Sequence, residues 1–130
     1  QKRCFSYVDD CIYCLEQAML NEKAEKEIIN IGPDEEFISI KELAEKCLNL
    51  FRSNMEPIHI ADRPQEVKYA TCSAEKARKL LNYNTSTSLD DAIEKTANYI
   101  KNAGEKEFKY HLPLEIINKN TPSTWKDKLM

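Results

Sequence analysis

A chain of 130 residues with 42% hydrophobic side chains holds enough apolar material for one packed core. Its net charge of −3 and pI near 5.5 exclude a general nucleic-acid binder, which would carry a basic face. No apolar run approaches the roughly 20 residues that span a bilayer, and Asp9 and Asp10 interrupt any secretory signal, so a cytoplasmic protein with no membrane partner is expected.

The chain opens on "QKRCFSYVDD", a basic pair running into an aromatic-rich turn, and it reads like the middle of a protein. Val8, Ile12, Leu15 and Met19 then recur at helical spacing, which predicts an amphipathic helix with that stripe inward. Asp9 or Asp10 is expected to cap its first turn. "EIINIG" reads as a short buried strand closed by Gly32-Pro33. In "EFISIKELAEKCLNLF", Ser39 and Glu42 have capping-box spacing, and Ile40, Leu43, Ala44, Cys47 and Phe51 form an apolar face. "IHIAD" reads as another strand, followed by the turn "DRPQE".

"SAEKARKLLNYN" predicts a helix with Ser73 as N-cap, with Ala77, Leu80 and Leu81 buried and Asn82 as the stop. After the loop "NYNTSTS", Ser88 and Asp91 open a last clear helix whose apolar face is Leu89, Ala92, Ile93, Thr96 and Ile100. Beyond Gly104 the helical period is lost, yet Phe108, Leu112, Leu114, Ile116, Ile117 and Trp125 give the tail more large apolar groups than a disordered segment carries. Such a tail is expected to pack along a surface. The order of elements predicts a small helix-rich α/β lobe with short strands, over residues 1–103, and a C-terminal extension over 104–130.

Five cysteines, an odd number, sit mostly within apolar helical patterns, which suits reduced thiols better than a disulfide framework. Cys11 and Cys14 form a C-x-x-C, but no second ligand pair follows at zinc spacing and no strand precedes it, so they are read as core filler with no bound metal. His59, alternating with Ile58 and Ile60, and His111 in the tail are read as ordinary histidines, and the many carboxylate pairs as helix-start and surface charges. Only two glycines occur, Gly32 and Gly104, so no phosphate loop and no dinucleotide fingerprint can be built. Arginine is scarce, at positions 3, 52, 63 and 78. Arg3 and Arg63 alone stand in connecting segments beside aromatic or proline residues. Two guanidinium groups converging there would clamp an anion bidentately, and two salt-bridging loop residues would look the same in sequence.

At these residues the chain resembles the extended short-chain dehydrogenases/reductases, the family of NAD-dependent nucleotide-sugar epimerases and dehydratases. "QKRCFSYVDDCI" is similar to the segment that follows the catalytic core there, "IINIGPDEEFISIKELAE" to a strand and Ser-capped helix, and "RPQEVKYATCSAEKARKLLNYNTSTSLDDAIEKTANYI" to an Arg-Pro turn with two closing helices. The likeness runs from residue 1 to about residue 101, with motifs in the family's order. It implies the C-terminal, substrate-binding part of a Rossmann-type enzyme whose NAD-binding domain is absent from these residues.

The resemblance implies that Arg3 and Arg63 hold the diphosphate of a nucleoside-diphosphate sugar, that Glu66 hydrogen-bonds the ribose, and that Phe5 packs beside the nucleoside. Cys4 stands where many members have an acid, and Asp10 matches a helix-capping acid of structural use. NAD, with the Tyr-x-x-x-Lys pair, would belong to the missing N-terminal Rossmann domain, and none to this chain alone. None of Tyr7, Tyr13, Tyr69, Tyr83, Tyr99 and Tyr110 has a lysine four residues on. Members of the family commonly dimerise through the cofactor domain, so a homodimer of the full-length enzyme is implied. The chain is therefore expected to be the substrate-binding lobe of an epimerase or dehydratase, without catalytic residues and not competent alone. The alternative is a freestanding interaction module that keeps the fold, with Trp125 as anchor.

Overall fold

The computed structural model describes residues 1–62, 65–104, 106–107 and 117–127. Three two-residue strands form a mixed sheet in the order β2-β1-β3. Strand β1 (Lys2–Arg3) lies between an antiparallel partner, β2 (Ile38–Ser39), and a parallel one, β3 (Tyr69–Ala70). Lys2 faces Ser39 on one side and Tyr69 on the other, and Arg3 faces Ile38 and Ala70. Ladders this short do not hold a fold by themselves. Helices do, in two antechambers around the sheet.

The first helix pair is α1 (Val8–Leu20) against α3 (Glu75–Leu81). Small side chains make it possible: Cys14, Ala74 and Ala77 are fully buried, and Leu81 and Tyr83 close the cluster. Ala18, Ala24, Ile29, Ile31 and Leu80 pack around it. A buried Cys behaves as a small hydrophobe, and burial, helped by the neighbouring Cys11 and Asp10, pushes the Cys14 thiol up from its ordinary value. Asn21, just beyond α1, donates from Nδ2 to the carbonyl of Leu80 at 2.6 Å and accepts from Lys23 N at 3.0 Å, fastening the 3-10 turn Glu22–Ala24 to the end of α3. The second pair is α2 (Ile40–Leu50) against α4 (Leu89–Ala103), joined by a 2.6 Å ion pair between Lys46 and Asp90. A last single turn, α5, spans Ser123–Lys126.

The capping expectations meet the structure unevenly. Ser39 Oγ accepts from Glu42 N at 3.1 Å while Ser39 N donates to Glu42 Oε2 at 2.6 Å, a complete capping box. Ser88 Oγ accepts from Asp91 N at 3.2 Å, and Asn82 ends α3 at φ 54°. The expected cap of α1 is not formed by either aspartate: Tyr7 is the N-cap residue and makes no side-chain cap. Ser73 also moves one place out, since Ala74 occupies the N-cap of α3 and Ser73 Oγ accepts from Glu75 N at 3.2 Å.

Two expected strands are absent. Residues 27–32 and the described part of "IHIAD" are irregular, and the sheet is built from 2–3, 38–39 and 69–70 instead. Apolar alternation made 27–32 look strand-like, but Ile29 and Ile31 pack singly on the α1–α3 core without a neighbour to pair with. At the end of that segment Gly32 holds φ 150°, and a Cβ there would meet Ser6 Oγ at 3.0 Å, so glycine is needed for both reasons.

The stripe expected to face inward on α1 faces out: Val8, Ile12, Leu15 and Met19 are 53–85% exposed. On α4, too, Ala97 is buried while Thr96 and Ile100 are exposed. Among the described residues no helix is long and apolar enough to cross a membrane.

Candidate substrate cleft

Arg3 sits on the central strand, and its neighbours decide what its guanidinium can reach. Nη2 donates to the carbonyl of Val67 at 2.6 Å, and Nη1 to those of Lys2 at 2.7 Å and Lys68 at 3.2 Å. The backbone adds Lys2 N to Lys68 O at 2.8 Å. The side chain thus ties β1 to the segment that follows Glu66, bringing two of the sequence-named residues into one neighbourhood across some 64 positions of chain. A guanidinium carries five N–H donors. Three contacts to carbonyls use part of that set.

Glu66 lines a cleft of about 900 Å³ together with His59, Asp62, Gln65 and Lys68. Lys119, Thr121 and Trp125, from a second stretch of chain, line it as well. Lys68 pairs with Asp62 at 3.7 Å, so cations and carboxylates alternate along the wall. The volume falls in the range of about 300–1,000 Å³ usual for small-molecule sites. Arg63 lies outside the described residues.

Phe5 is placed elsewhere. It is half-buried and lines a smaller cleft of about 360 Å³ with Pro33, Glu35, Thr85 and Leu89, rather than the one that holds Glu66. Cys4, beside it, has its Sγ 3.3 Å from Thr71 Oγ1.

Arg78, on α3, makes three charge-assisted hydrogen bonds to carboxylates. Its guanidinium grips Asp34 through both Nη atoms and donates to Glu35 Oε1 at 2.5 Å. Asp34 Oδ2 also accepts from Ala74 N at 2.8 Å. The Arg78 hydrogen bonds, then the Ala74 amide, hold the Asp34 carboxyl at about 2. Glu35 accepts in turn from Thr85 Oγ1 at 3.1 Å. The network locks the 32–36 turn to α3 and to the 83–87 loop, and its Glu35 and Thr85 line the smaller cleft. The turn residues Gly32-Pro33-Asp34 were the only signal for it, since the partner stands 44 positions away.

Asp10, 6% exposed, accepts from Thr87 N at 3.2 Å, from Thr87 Oγ1 at 3.3 Å and from Ser86 Oγ. It therefore caps the start of the 86–88 loop ahead of α4 rather than its own helix. Buried carboxylates persist where such donors satisfy them.

The described residues do not fit a dinucleotide. The two glycines stand apart, one wedged behind Ser6 and the other ending α4 at φ 76°, and no strand–glycine turn–helix unit occurs among them to cradle a pyrophosphate.

No protein-family model matches the chain. Among solved structures, it is similar to a UDP-glucuronic acid 4-epimerase from Bacillus cereus, determined with UDP-4-deoxy-4-fluoro-glucuronic acid and NAD, at 31% identity and a TM-score of 0.72 over 80% of the chain. It is also similar to the enzyme WbmF of Bordetella bronchiseptica, determined with NADH, at 27% identity and a TM-score of 0.65 over 78% of the chain. The chain spans about a third of either structure, 33% and 30% of their lengths.

Proposed function

From a chain that shares sequence and fold with the C-terminal part of NAD-dependent extended short-chain dehydrogenase/reductase epimerases, we propose that this lobe binds the nucleoside diphosphate of a nucleotide sugar. Arg3 and Arg63 hold the diphosphate, and Glu66 accepts from the ribose hydroxyls. The observation that supports this reading is the tie from Arg3 to the carbonyls of Val67 and Lys68, which joins strand β1 to the chain segment whose Glu66 and Lys68 line the larger cleft. Phe5, which lines the smaller cleft, is left outside this nucleotide site.

Chemistry at the sugar belongs to a cofactor-bearing part of the protein outside these residues. The residues here bind and orient an unreactive part of the substrate, and such remote binding positions the reacting centre. The outward stripe Val8, Ile12, Leu15 and Met19 supports this division of labour, because a lobe meant to rest on a second domain keeps an apolar face for it. NAD and any homodimer contacts are assigned to that second part, and a cytoplasmic setting agrees with five unpaired thiols.

Titration calorimetry of the chain with UDP tests the reading. A charge-assisted contact contributes about 1.5–3 kcal/mol, so Arg3→Ala is expected to weaken UDP binding ~10–100-fold. A change under twofold would remove Arg3 from the site.

A further inference from the structure

Resting on that reading, we propose that Trp125 is the residue on which the nucleobase stacks, and that the 119–125 segment is the nucleoside wall of the larger cleft. Three observations meet here. The cleft that holds Glu66 is shared by two stretches more than 50 positions apart, and Trp125 lines it from the second of them. Trp125 is 47% exposed, so part of the residue is accessible to a ligand. Its backbone is fixed: Trp125 N donates to Pro122 O at 3.0 Å, Thr121 N to Asn118 O at 3.0 Å, and Asn118 N to Thr121 Oγ1 at 3.0 Å. A ring presented from a hydrogen-bonded turn loses little freedom when something lands on it.

The chemistry suits a base. Every nucleobase has a π-face, and stacking on an aromatic side chain contributes about 1–3 kcal/mol. Hydroxyls of Thr121 and Thr124 and the amide of Gln65 line the same space and can pair with the polar edge of the ring. With Glu66 at the ribose, the base is assigned to the 119–125 segment of the same cleft.

The chain has one tryptophan, so its emission reports on this residue alone. On excitation at a wavelength where only indole absorbs, UDP is expected to quench the emission of the 130-residue chain saturably, and inorganic pyrophosphate to leave it unchanged. In calorimetry, Trp125→Ala is expected to weaken UDP binding about 5–100-fold, with Trp125→Phe retaining most of it. Calorimetric UDP binding with no change in emission and with W125A within twofold would overturn the stacking role and leave the cleft reading standing. Equal quenching by pyrophosphate would overturn it as well. If calorimetry detects no UDP binding, the cleft reading and this inference fall together.

Discussion

Arg3 and Arg78 show what a guanidinium does once its surroundings are known. Arg3 spends part of its donor set on backbone carbonyls, which ties the Glu66 segment to β1, and the proposed diphosphate contact would use the rest. Arg78 is spent entirely on carboxylates, and its consequence is acid sensitivity. The Asp34 carboxyl titrates near 2 in the folded lobe against an ordinary 3.8, so its contribution is complete above about pH 4 and is lost as pH falls toward 2. That contribution is about 1–2 kcal/mol, once reduced for the solvent that reaches a side chain 21% exposed. Asp34→Asn is expected to lower stability at pH 7 and to flatten the loss between pH 4 and pH 2. Urea melts across that range check it, and an unchanged pH profile would count against the network. Asp10→Ala, which strands the Thr87 amide and hydroxyl, is expected to cost about 1–3 kcal/mol in the same melts.

At the scale of elements, local chemistry and packing can be separated. The Ser39–Glu42 box and the αL stop at Asn82 arise from side chains acting within four residues of themselves, and both were readable from sequence. Ser39→Ala is expected to destabilise the lobe by about 1 kcal/mol, read as a shift of the denaturation midpoint at constant slope. The strands were not readable. A two-residue strand has no period, and 2–3, 38–39 and 69–70 become strands only because the chain returns to lie beside itself. The α1–α3 contact turns on size: Cys14 and Ala18 meet Ala77 and Leu81, and small groups let two helix backbones approach. Leu81→Ala is expected to cost about 2–5 kcal/mol, since the side chain is 1% exposed and has no room to relax.

For the molecule as a whole, the deciding feature is which apolar surface is covered. Helix α1 has two apolar stripes, and the larger one, Val8, Ile12, Leu15 and Met19, is left open. Replacing Ile12 and Leu15 together by Lys is expected to leave the denaturation midpoint within about 0.5 kcal/mol of the parent, as exposed sites do, and to reduce dye binding and self-association. A large loss of stability would mean that the stripe is covered within the chain itself.

The sequence by itself determined the main helices, most of their ends, the burial of Ala77 and Leu81 with Leu80 partly buried beside them, and the likeness that named Arg3 and Glu66. These follow from spacing, capping and turn chemistry, which act over a few residues. Tertiary structure alone decided that Arg3 reaches the Val67 carbonyl, that Arg78 holds Asp34, that Phe5 and Glu66 line different clefts, and that Trp125 shares one with Glu66. Each depends on residues more than 40 positions apart meeting in space, and no local period or propensity encodes such a meeting.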